Sequence, residues 1–250
     1  MTAPGRDHFS ESAAAYAAFR PRYPAALFAW IAEQVADRGR AWDCATGSGQ
    51  AAVGLAEHFR EVVASDASVA LLGEAEGHAR VRYVACAAER AALRAGSVSL
   101  VTVAQALHWL ELEPFYAEVR RVLVPGGLVA VWCYGLLELE GEIGEVVRRF
   151  EGEVVGPYWP PERALVDSGY ATVPFPFAEL AAPSFAIERR WTLAELAGYV
   201  GTWSAVRQYR RARGEDPMPG LVRELAGRWG DGATARHVRW PVRVRAGRVS

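Results

Sequence analysis

The hydrophobic positions of this 250-residue chain change their spacing along the sequence, and each spacing predicts a different kind of element. Before residue 40, apolar residues recur every three or four positions, which predicts a helix over residues 10–19 and a second helix after Pro24. Further along, short apolar runs alternate with segments of helix length. These runs predict strands at residues 41–45, 62–65, 81–85, 98–104 and 128–133.

Helix-length segments separate the predicted strands, so the order strand, helix, strand repeats along the chain. This order is typical of parallel strands joined by right-handed crossovers. Several of the strand runs are mainly apolar and show no alternation, as expected when helices cover both faces of the sheet. In the last helix, Glu118 and Arg121 lie one turn apart and are expected to pair on the outer face. The helices are predicted at residues 50–58, 68–77, 88–93 and 114–123.

The alternation does not continue to the C-terminus. A helix is predicted over residues 138–153, followed by an irregular stretch at 157–183 that is rich in proline and aromatic residues. Residues 185–191 and 236–245 alternate in the manner of antiparallel strands. Pro241 interrupts the second of these strands, and proline normally sits at a sheet edge or a bulge. Two more helices are predicted between the two strands, at residues 192–203 and 219–229.

The composition is that of an ordinary globular domain, and the length is compatible with a single core. Hydrophobic residues make up 51% of the chain, and 28 basic against 29 acidic residues give a formal net charge of −1. This balance disfavours disorder and a surface that coats nucleic acid. Every basic residue is arginine, so enzymes that depend on a Schiff-base lysine or a phosphate-loop lysine are excluded.

Neither a secretory signal nor a membrane span is predicted. The first 12 residues lack an apolar run, and the strongly apolar stretch at residues 127–137 is too short to cross a bilayer. We therefore expect a cytoplasmic protein that has no membrane partner. Cys44, Cys86 and Cys133 form no C-x-x-C pair, and no metal is expected.

A glycine-rich turn, residues 45–49, lies between the first predicted strand and its helix. Gly47 and Gly49 allow a tight turn and a close approach of a ligand, while N–H groups at the helix start attract a carboxylate or phosphate. Asp43 stands four residues before Gly47, at the strand terminus, and Asp66 follows the second strand. An acidic group in the position of Asp66 can accept both hydroxyls of an adenosine ribose.

The turn by itself leaves two classes of cofactor open. Gly47, Gly49 and Ala52 satisfy the dinucleotide pattern G-x-G-x-x-A, so an NAD(P)-dependent oxidoreductase is an alternative. The carboxylate of Asp43 suits the ammonium group of an amino-acid-like ligand and is unfavourable beside a pyrophosphate. An oxidoreductase would also need a catalytic domain after the sixth strand, and the sequence shows no sign of one.

Together these motifs resemble the class I S-adenosylmethionine-dependent methyltransferases, particularly the small-molecule branch that includes trans-aconitate methyltransferase. Residues 43–49 are similar to the first motif of that family, with Ala45 in the place of its first glycine. Residues 86–89, 104–109 and 123–127 resemble its segments after the third strand, after the fourth, and before the fifth. The resemblance implies an α/β, three-layer Rossmann-like methyltransferase fold, with a mostly parallel seven-stranded sheet and a C-terminal antiparallel hairpin.

The resemblance also implies a cofactor, S-adenosylmethionine, with S-adenosylhomocysteine as its product. The methionine part is expected beside Asp43 and the turn, the ribose on Asp66, the adenine at residues 86–89, and the reacting end at Gln105. The expected cofactor-binding residues are Asp43, Ala45, Gly47, Gly49, Asp66, Ala67, Ala88, Glu89 and Gln105.

His108 is the candidate catalytic residue, because it follows the fourth strand and is able to take a proton from a hydroxyl or amine. Its alternative role is to fix the loop by a hydrogen bond to the backbone. Aromatic rings around a sulfonium exclude water and add cation–π attraction, although each ring is equally suited to the core. Arg20 suits a substrate carboxylate, with pairing to an acidic neighbour as the alternative. The expected substrate-binding residues are Tyr16, Arg20, Tyr23, Trp109, Trp132 and Trp203.

The sequence therefore predicts an enzyme that methylates a small organic molecule at a carboxylate or hydroxyl oxygen, with N- or C-methylation as alternatives. A fold that binds the cofactor without turnover is a third alternative, which the glycines and both acids disfavour. No nucleic-acid partner is expected, and the oligomeric state is a monomer or homodimer. Within a single domain, we expect an N-terminal lid at residues 1–39, a cofactor core at 40–135, a substrate-covering region at 136–235, and a final strand and tail at 236–250.

Overall fold

The structure is a computed structural model and describes residues 21–249 of the chain. The helix predicted for residues 10–19 lies outside the described residues. The five strands expected before residue 135 are confirmed, with ends that agree to within one residue except that the fifth strand begins at residue 123 and not at 128. In chain order the strands are β1 (Arg40–Cys44), β2 (Glu61–Asp66), β3 (Val81–Ala85), β4 (Val98–Ala104), β5 (Leu123–Tyr134), β6 (Ala178–Leu180), β7 (Phe185–Trp191) and β8 (Arg236–Arg248).

The strands form one sheet in the order β3-β2-β1-β4-β5-β8-β6, and β7 also pairs with β8. β1 to β5 are parallel to one another, while β8 runs antiparallel to β5 and β6. The expected α/β fold with an antiparallel C-terminal part is therefore confirmed. The sheet has eight strands in the described part of the chain, one more than expected, because the short β6 pairs with β8 inside the stretch predicted to be irregular. Pro241 lies one residue before the β5–β8 ladder, which begins at Val242, so this ladder needs no N–H group from the proline.

Helices occupy the segments between strands, and most lie where the apolar spacing predicts them. The helix predicted over residues 138–153 ends early and continues as a π-helical turn, Phe150–Val154. Two helices in the described residues, Arg163–Asp167 and Ser204–Arg213, have no predicted counterpart. The helices are α1 (Ala25–Glu33), α2 (Gln50–Ala56), α3 (Val69–Gly73), α4 (Leu112–Val122), α5 (Gly141–Arg149), α6 (Arg163–Asp167), α7 (Leu193–Gly201), α8 (Ser204–Arg213) and α9 (Met218–Trp229).

The helix predicted at residues 88–93 is wrong, because α4 takes up the backbone groups of this segment. The Glu118 carboxylate accepts the Ala91 N–H at 2.6 Å, and the Arg121 guanidinium donates to the Leu93 carbonyl at 2.9 Å. Glu118 and Arg121 do pair, at 2.6 Å, as the sequence predicts. Their expected place on the outer face is wrong for Glu118, which is only 7% exposed because residues 91–93 cover it.

The described residues divide into two compact units. The sheet unit comprises residues 22–135, 164–186 and 242–249, and the helical unit comprises residue 21 with 136–163 and 187–241. The core of the sheet unit includes Trp42, Phe115 and Val131, all with no exposed surface. In the helical unit, Trp240 packs edge to face on Trp191 with ring centroids 4.8 Å apart. The predicted division into lid, core, cover and tail stays a prediction.

None of the helices in residues 21–249 combines the length and the apolar composition that a membrane crossing requires. The same residues contain no group of three or more histidine, cysteine, aspartate or glutamate side chains arranged to hold a metal ion.

Candidate active site

The turn at residues 45–49 joins β1 to α2 at the point where the strand order of the sheet reverses. β2 lies on one side of β1 and β4 on the other, and open α/β sheets bind ligands outside the carboxyl ends of the strands at such a point. The backbone here is left-handed at Ala45, Gly47 and Gly49, with φ of +53°, +57° and +82°. The conformation of the turn thus explains both glycines, and it places an alanine where a glycine would be less strained.

The surroundings of Gly47 and Gly49 differ. A Cβ atom on Gly49 would lie 2.1 Å from the Tyr83 hydroxyl oxygen, so a side chain has no room there. A Cβ atom on Gly47 would meet nothing within 4 Å. The turn is therefore closed by Tyr83 at Gly49 and leaves open space for a ligand at Gly47.

Asp43 is fully buried directly before the turn. One carboxylate oxygen accepts the Thr46 hydroxyl at 2.5 Å and the other accepts the Thr102 hydroxyl at 2.7 Å. Burial raises the pKa of Asp43 from 3.8 to about 6, against the opposing effect of the two hydroxyls, and the nearby charge of Asp66 adds to the rise. Keeping the buried carboxylate ionised costs folding free energy, and a nearby positive charge would reduce that cost.

Asp66 ends β2 and joins the turn to the next helix. Its carboxylate accepts the Gly47 N–H at 2.9 Å through one oxygen and the Ser68 N–H at 2.8 Å through the other. Each oxygen keeps a second lone pair for a further donor. The sequence-predicted residues Asp43, Gly47, Gly49 and Asp66 are thus brought together at one site.

A second layer of contacts over the turn was not predicted from the sequence. The Tyr83 hydroxyl donates to the Glu76 carbonyl at 2.6 Å, and the Glu76 N–H donates to the Ser48 carbonyl at 3.1 Å. Arg22 forms an ion pair with the Glu76 carboxylate at 2.7 Å. Burial, followed by the charges of Asp43 and Glu76, raises the pKa of Tyr83 to about 12, so its hydroxyl stays protonated.

Gln105 follows β4 in a left-handed conformation, with φ of +58°. Its side-chain amide donates to the Tyr134 carbonyl at 2.8 Å and accepts the Tyr134 N–H at 2.9 Å. These two bonds extend the β4–β5 edge, so the side chain of Gln105 positions the strand ends. The backbone of Gln105 remains at the predicted reacting end of the site.

His108 and Trp109 lie in a 3₁₀ turn, Leu107–Trp109, immediately beyond. The rings of His108 and Trp109 are 4.7 Å apart, and His108 Nδ1 lies 2.9 Å from the Tyr170 hydroxyl. Tyr170 has no exposed surface, and burial raises its pKa well above the usual range. A residue 62 positions away therefore orients the predicted catalytic histidine.

Aromatic side chains border the carboxyl end of β5. The Tyr23 ring meets the Trp132 and Tyr134 rings edge to face, with centroids 5.6 Å and 6.1 Å apart. Trp132 has no exposed surface, and within residues 21–249 its indole N–H has no hydrogen-bond partner. The register pairs Trp132 with Ala104, the residue before Gln105.

Comparisons with known proteins agree on one family. A family model described as a methyltransferase domain matches residues 42–131. A Dictyostelium discoideum protein with a methyltransferase name is 32% identical over 223 residues, covering 88% of this chain and 85% of its own. A solved structure described as a type II methyltransferase candidate, from Anaeromyxobacter dehalogenans, is 46% identical with a TM-score of 0.87, covering 92% of this chain and 98% of its own. The chain belongs to the S-adenosylmethionine-dependent methyltransferases.

A third relative, an uncharacterized methyltransferase of Mycobacterium tuberculosis, is 33% identical over 182 residues, or 71% of this chain and 70% of its own. The family decides between the two cofactor classes that the glycine-rich turn leaves open, in favour of S-adenosylmethionine. The particular branch, that of trans-aconitate methyltransferase, stays a prediction.

The remaining predicted site residues belong to other segments of the chain. Glu89 accepts the Glu111 N–H at 3.3 Å, directly before α4, while Ala88 is buried and Ala67 is exposed. Trp203 belongs to the helical unit, where it is buried beside Trp159 and Tyr199. Tyr16 and Arg20 lie outside the described residues.

Residues that sequence reasoning missed also contact the predicted site residues. Thr102 had a usable signal, because it is a polar residue in a mostly apolar strand and stands directly beside Asp43 in the β1–β4 register. Thr46 lies inside the recognised turn. Tyr83, Glu76 and Tyr170 carried no such signal, because their contacts with the site depend on how distant segments fold.

Proposed function

We propose that this methyltransferase transfers the methyl group of S-adenosylmethionine to an oxygen atom of a small organic molecule, a carboxylate or a hydroxyl. The buried indole N–H of Trp132, without a partner in the described residues, carries this proposal. A buried donor is costly unless an acceptor reaches it, and an oxygen nucleophile brings acceptor lone pairs.

The residues around the turn fit the cofactor. An ionised Asp43 would attract the ammonium group of the methionine part, while the hydroxyls of Thr46 and Thr102 keep the carboxylate in place. Because Asp43 has no exposed surface, it would act through its charge across the turn. The open space beside Gly47 would admit the ligand to the turn.

The remaining cofactor contacts follow the same order along the sheet. Asp66 would accept the ribose hydroxyls with the lone pairs that Gly47 and Ser68 leave free. Ala67, Ala88 and Glu89 would border the adenine. Ala45, Gly49 and Gln105 would contribute backbone rather than side-chain contacts.

When bound, S-adenosylmethionine supplies a sulfonium methyl group that leaves by in-line displacement. The task of the chain is then to align the nucleophile and to keep water away. Trp109, Trp132 and Tyr23 would form an apolar wall at the acceptor side. Tyr16, Arg20 and Trp203 are further proposed substrate contacts, and His108 would act on the acceptor atom.

A product assay tests the proposal. The purified enzyme is incubated with methyl-labelled S-adenosylmethionine and a panel of carboxylic acids, phenols, alcohols and amines, and the products are identified by mass spectrometry. We expect labelled methyl esters or methyl ethers, and mild alkali distinguishes these two because it hydrolyses only the esters. Products methylated only at nitrogen or carbon would contradict the proposal.

Two variants separate cofactor binding from acceptor binding. Asp66→Ala is expected to weaken S-adenosylmethionine binding in calorimetry by at least tenfold and to leave thermal unfolding nearly unchanged. Trp132→Phe is expected to leave cofactor affinity intact and to lower kcat/KM for the acceptor by about tenfold, the effect of one lost hydrogen bond. The matched control is Trp240→Phe, because its N–H already donates to the Tyr199 hydroxyl in the helical unit.

A further inference from the structure

Three arginines stand at the starts of three neighbouring parallel strands. Arg38 lies two residues before β1, Arg60 directly before β2 and Arg80 directly before β3. β2 pairs in parallel with both β1 and β3, so the amino ends of the three strands share one edge of the sheet. The glycine-rich turn follows the carboxyl end of β1 and lies at the opposite edge. The topology therefore gathers these arginines away from the candidate active site.

The three arginines line a cavity of about 400 Å³ in the sheet unit. Asp37, His58 and the buried Phe59 complete its lining. Three guanidinium groups against one carboxylate leave an excess of positive charge in the cavity. Its volume is within the range of pockets that bind small molecules, and its charge favours an anion.

Contacts with helix ends hold two of the guanidinium groups in place. Arg38 Nε donates to the Ala32 carbonyl of α1 at 3.1 Å, and Arg80 Nη1 donates to the Ala56 carbonyl of α2 at 3.0 Å. The last carbonyls of a helix have no partner inside the helix, so a guanidinium is a suitable donor to them. Each bond uses one nitrogen, and within residues 21–249 the other two nitrogens of each group make no hydrogen bond. These nitrogens keep donors for a ligand.

The backbone fixes Arg60 between the other two arginines. The Arg60 N–H donates to the Arg38 carbonyl at 3.0 Å, and the Val62 N–H donates to the Arg80 carbonyl at 2.8 Å. The Arg60 side chain is 78% exposed and forms an ion pair with Asp37 at 3.3 Å. An exposed pair of this kind contributes little free energy, so an anion in the cavity can compete with Asp37 for Arg60.

Two further arginines at this edge are already compensated by a carboxylate. Arg40 and Arg82 pair with the two oxygens of Glu61 at 2.7 Å and 3.0 Å, and neither arginine lines the cavity. Arg38 and Arg80 form no ion pair within the part of the chain that the structure describes. The uncompensated positive charge of this edge is therefore concentrated in the cavity.

We propose that this cavity binds a compact phosphate-bearing anion, with a diphosphate group as the best match. Phosphate oxygens fit the fork of a guanidinium, and a diphosphate has enough oxygens to accept from three such groups at once, whereas a carboxylate has two. A nucleic-acid strand would need a longer run of uncompensated positive charge, which Glu61 interrupts outside the cavity. The site is separate from the methyl-transfer site and lies beyond the proposed function.

Calorimetric titration of the whole protein with inorganic pyrophosphate, at low ionic strength and without metal ions, tests this site. We expect saturable binding to one site per chain, which weakens as salt is added. Prior addition of S-adenosylhomocysteine should leave the binding unchanged, because the turn lies at the other edge of the sheet. A titration without saturable binding, or displacement of pyrophosphate by S-adenosylhomocysteine, would overturn the proposal.

Arg60→Gln and Arg82→Gln form a matched pair, because both side chains are 78% exposed at the same edge and each change removes one positive charge. We expect Arg60→Gln to weaken pyrophosphate binding about tenfold, the effect of one lost charge-assisted hydrogen bond. Arg82→Gln should leave the affinity unchanged. Asp37→Asn should strengthen binding about two- to fivefold, because it removes the competing carboxylate. Equal losses in the two arginine variants would indicate diffuse attraction to the surface and contradict the site.

A single-stranded oligothymidylate distinguishes a small anion from a nucleic acid. Because the positive charge is confined to one cavity, we expect the oligonucleotide to bind more weakly than pyrophosphate at the same ionic strength. Tighter binding of the oligonucleotide that is lost in Arg60→Gln would assign the cavity to nucleic acid and overturn the proposal.

Discussion

Ala45 adopts a left-handed conformation, with φ of +53°, in a turn that also requires positive φ at Gly47 and Gly49. A Cβ atom in this conformation costs about 1 kcal/mol or more, because it approaches the following carbonyl oxygen. Ala45 therefore replaces the glycine of the family motif without changing the turn, but at a measurable cost in folding free energy.

Ala45→Gly is expected to stabilise the folded protein by about 0.5 kcal/mol. Glycine removes the strain energy at positive φ in the folded state, but it also stabilises the unfolded chain through its larger conformational entropy. The first effect is slightly larger than the second. Urea denaturation measures the change. The control Ala51→Gly, inside α2, should cost about 1 kcal/mol, and a similar loss for Ala45→Gly would show that this position is unstrained.

Asp43→Asn is expected to stabilise the free protein by up to about 3 kcal/mol at pH 8. The pKa of Asp43 is raised to about 6 in the folded state, so the folded protein resists ionisation of this group. Its contribution is most favourable below pH 3.8 and is lost as the pH rises through 6. The gain from asparagine should accordingly be large at pH 8 and small near pH 4.

Denaturation at both pH values, together with calorimetry, checks this prediction. The same variant should bind S-adenosylmethionine more weakly, and the affinity of the wild type should fall as the pH drops below about 6, the pKa of Asp43. Asp37→Asn, at a carboxylate whose side chain is 73% exposed, should change neither property. Destabilisation by Asp43→Asn at pH 8 would contradict the assigned cost of burying this charge.

At the scale of elements, the turn between β1 and α2 packs against a side chain of β3, Tyr83. Tyr83 fills the space beside Gly49 and links the turn to Glu76. The spacing of the glycines identifies the turn in the sequence. Its closure by a tyrosine of a neighbouring strand is visible only once the β2–β3 pairing is known.

Gly49→Ala and Gly47→Ala should differ sharply. Gly49→Ala should cost more than about 2 kcal/mol, because its Cβ would lie 2.1 Å from the Tyr83 oxygen, whereas Gly47→Ala should cost only about 1 kcal/mol of backbone strain. Urea denaturation of both variants, alone and with Tyr83→Phe, measures the coupling. The cost of Gly49→Ala should be smaller in the Tyr83→Phe background, and an unchanged cost would exclude the clash.

The contact between α4 and residues 91–93 gives a further prediction. Glu118→Ala should cost about 2 kcal/mol, because it leaves the Ala91 N–H without its acceptor and Arg121 without its ion pair. Thermal and urea unfolding measure the loss. Glu113→Ala, at an exposed residue of the same helix, is the control, and an equal effect of the two changes would refute the role of Glu118.

Elements with a clear hydrophobic spacing were predicted well, and those stabilised by distant groups were not. β4 is buried from Val98 to Val103 and mostly apolar, and its bounds match the prediction. The segment at residues 88–93 has the alanines of a helix, but Glu118 and Arg121 bind its backbone instead. β6 has two exposed residues out of three, so no apolar pattern marks it.

At the scale of the whole molecule, the sequence predicted the glycine-rich turn and the two aspartates at the strand ends. It did not predict the long-range contacts that support them. Asp43 and Asp66 converge on one turn because parallel strands place their carboxyl ends at the same edge of a sheet. Tyr170 reaches His108 across 62 positions of sequence, from a segment predicted to be irregular. Local patterns carry no information about such a contact, because its energy depends on how the whole sheet unit folds.

A crystal structure of the complex with S-adenosylhomocysteine tests the central claim most directly. We expect the amino-acid end of the ligand beside the turn at Gly47, on the side of Asp43, and both ribose hydroxyls within hydrogen-bond distance of the Asp66 carboxylate. Electron density for the ligand at another place, or a ribose that makes no contact with Asp66, would contradict the account.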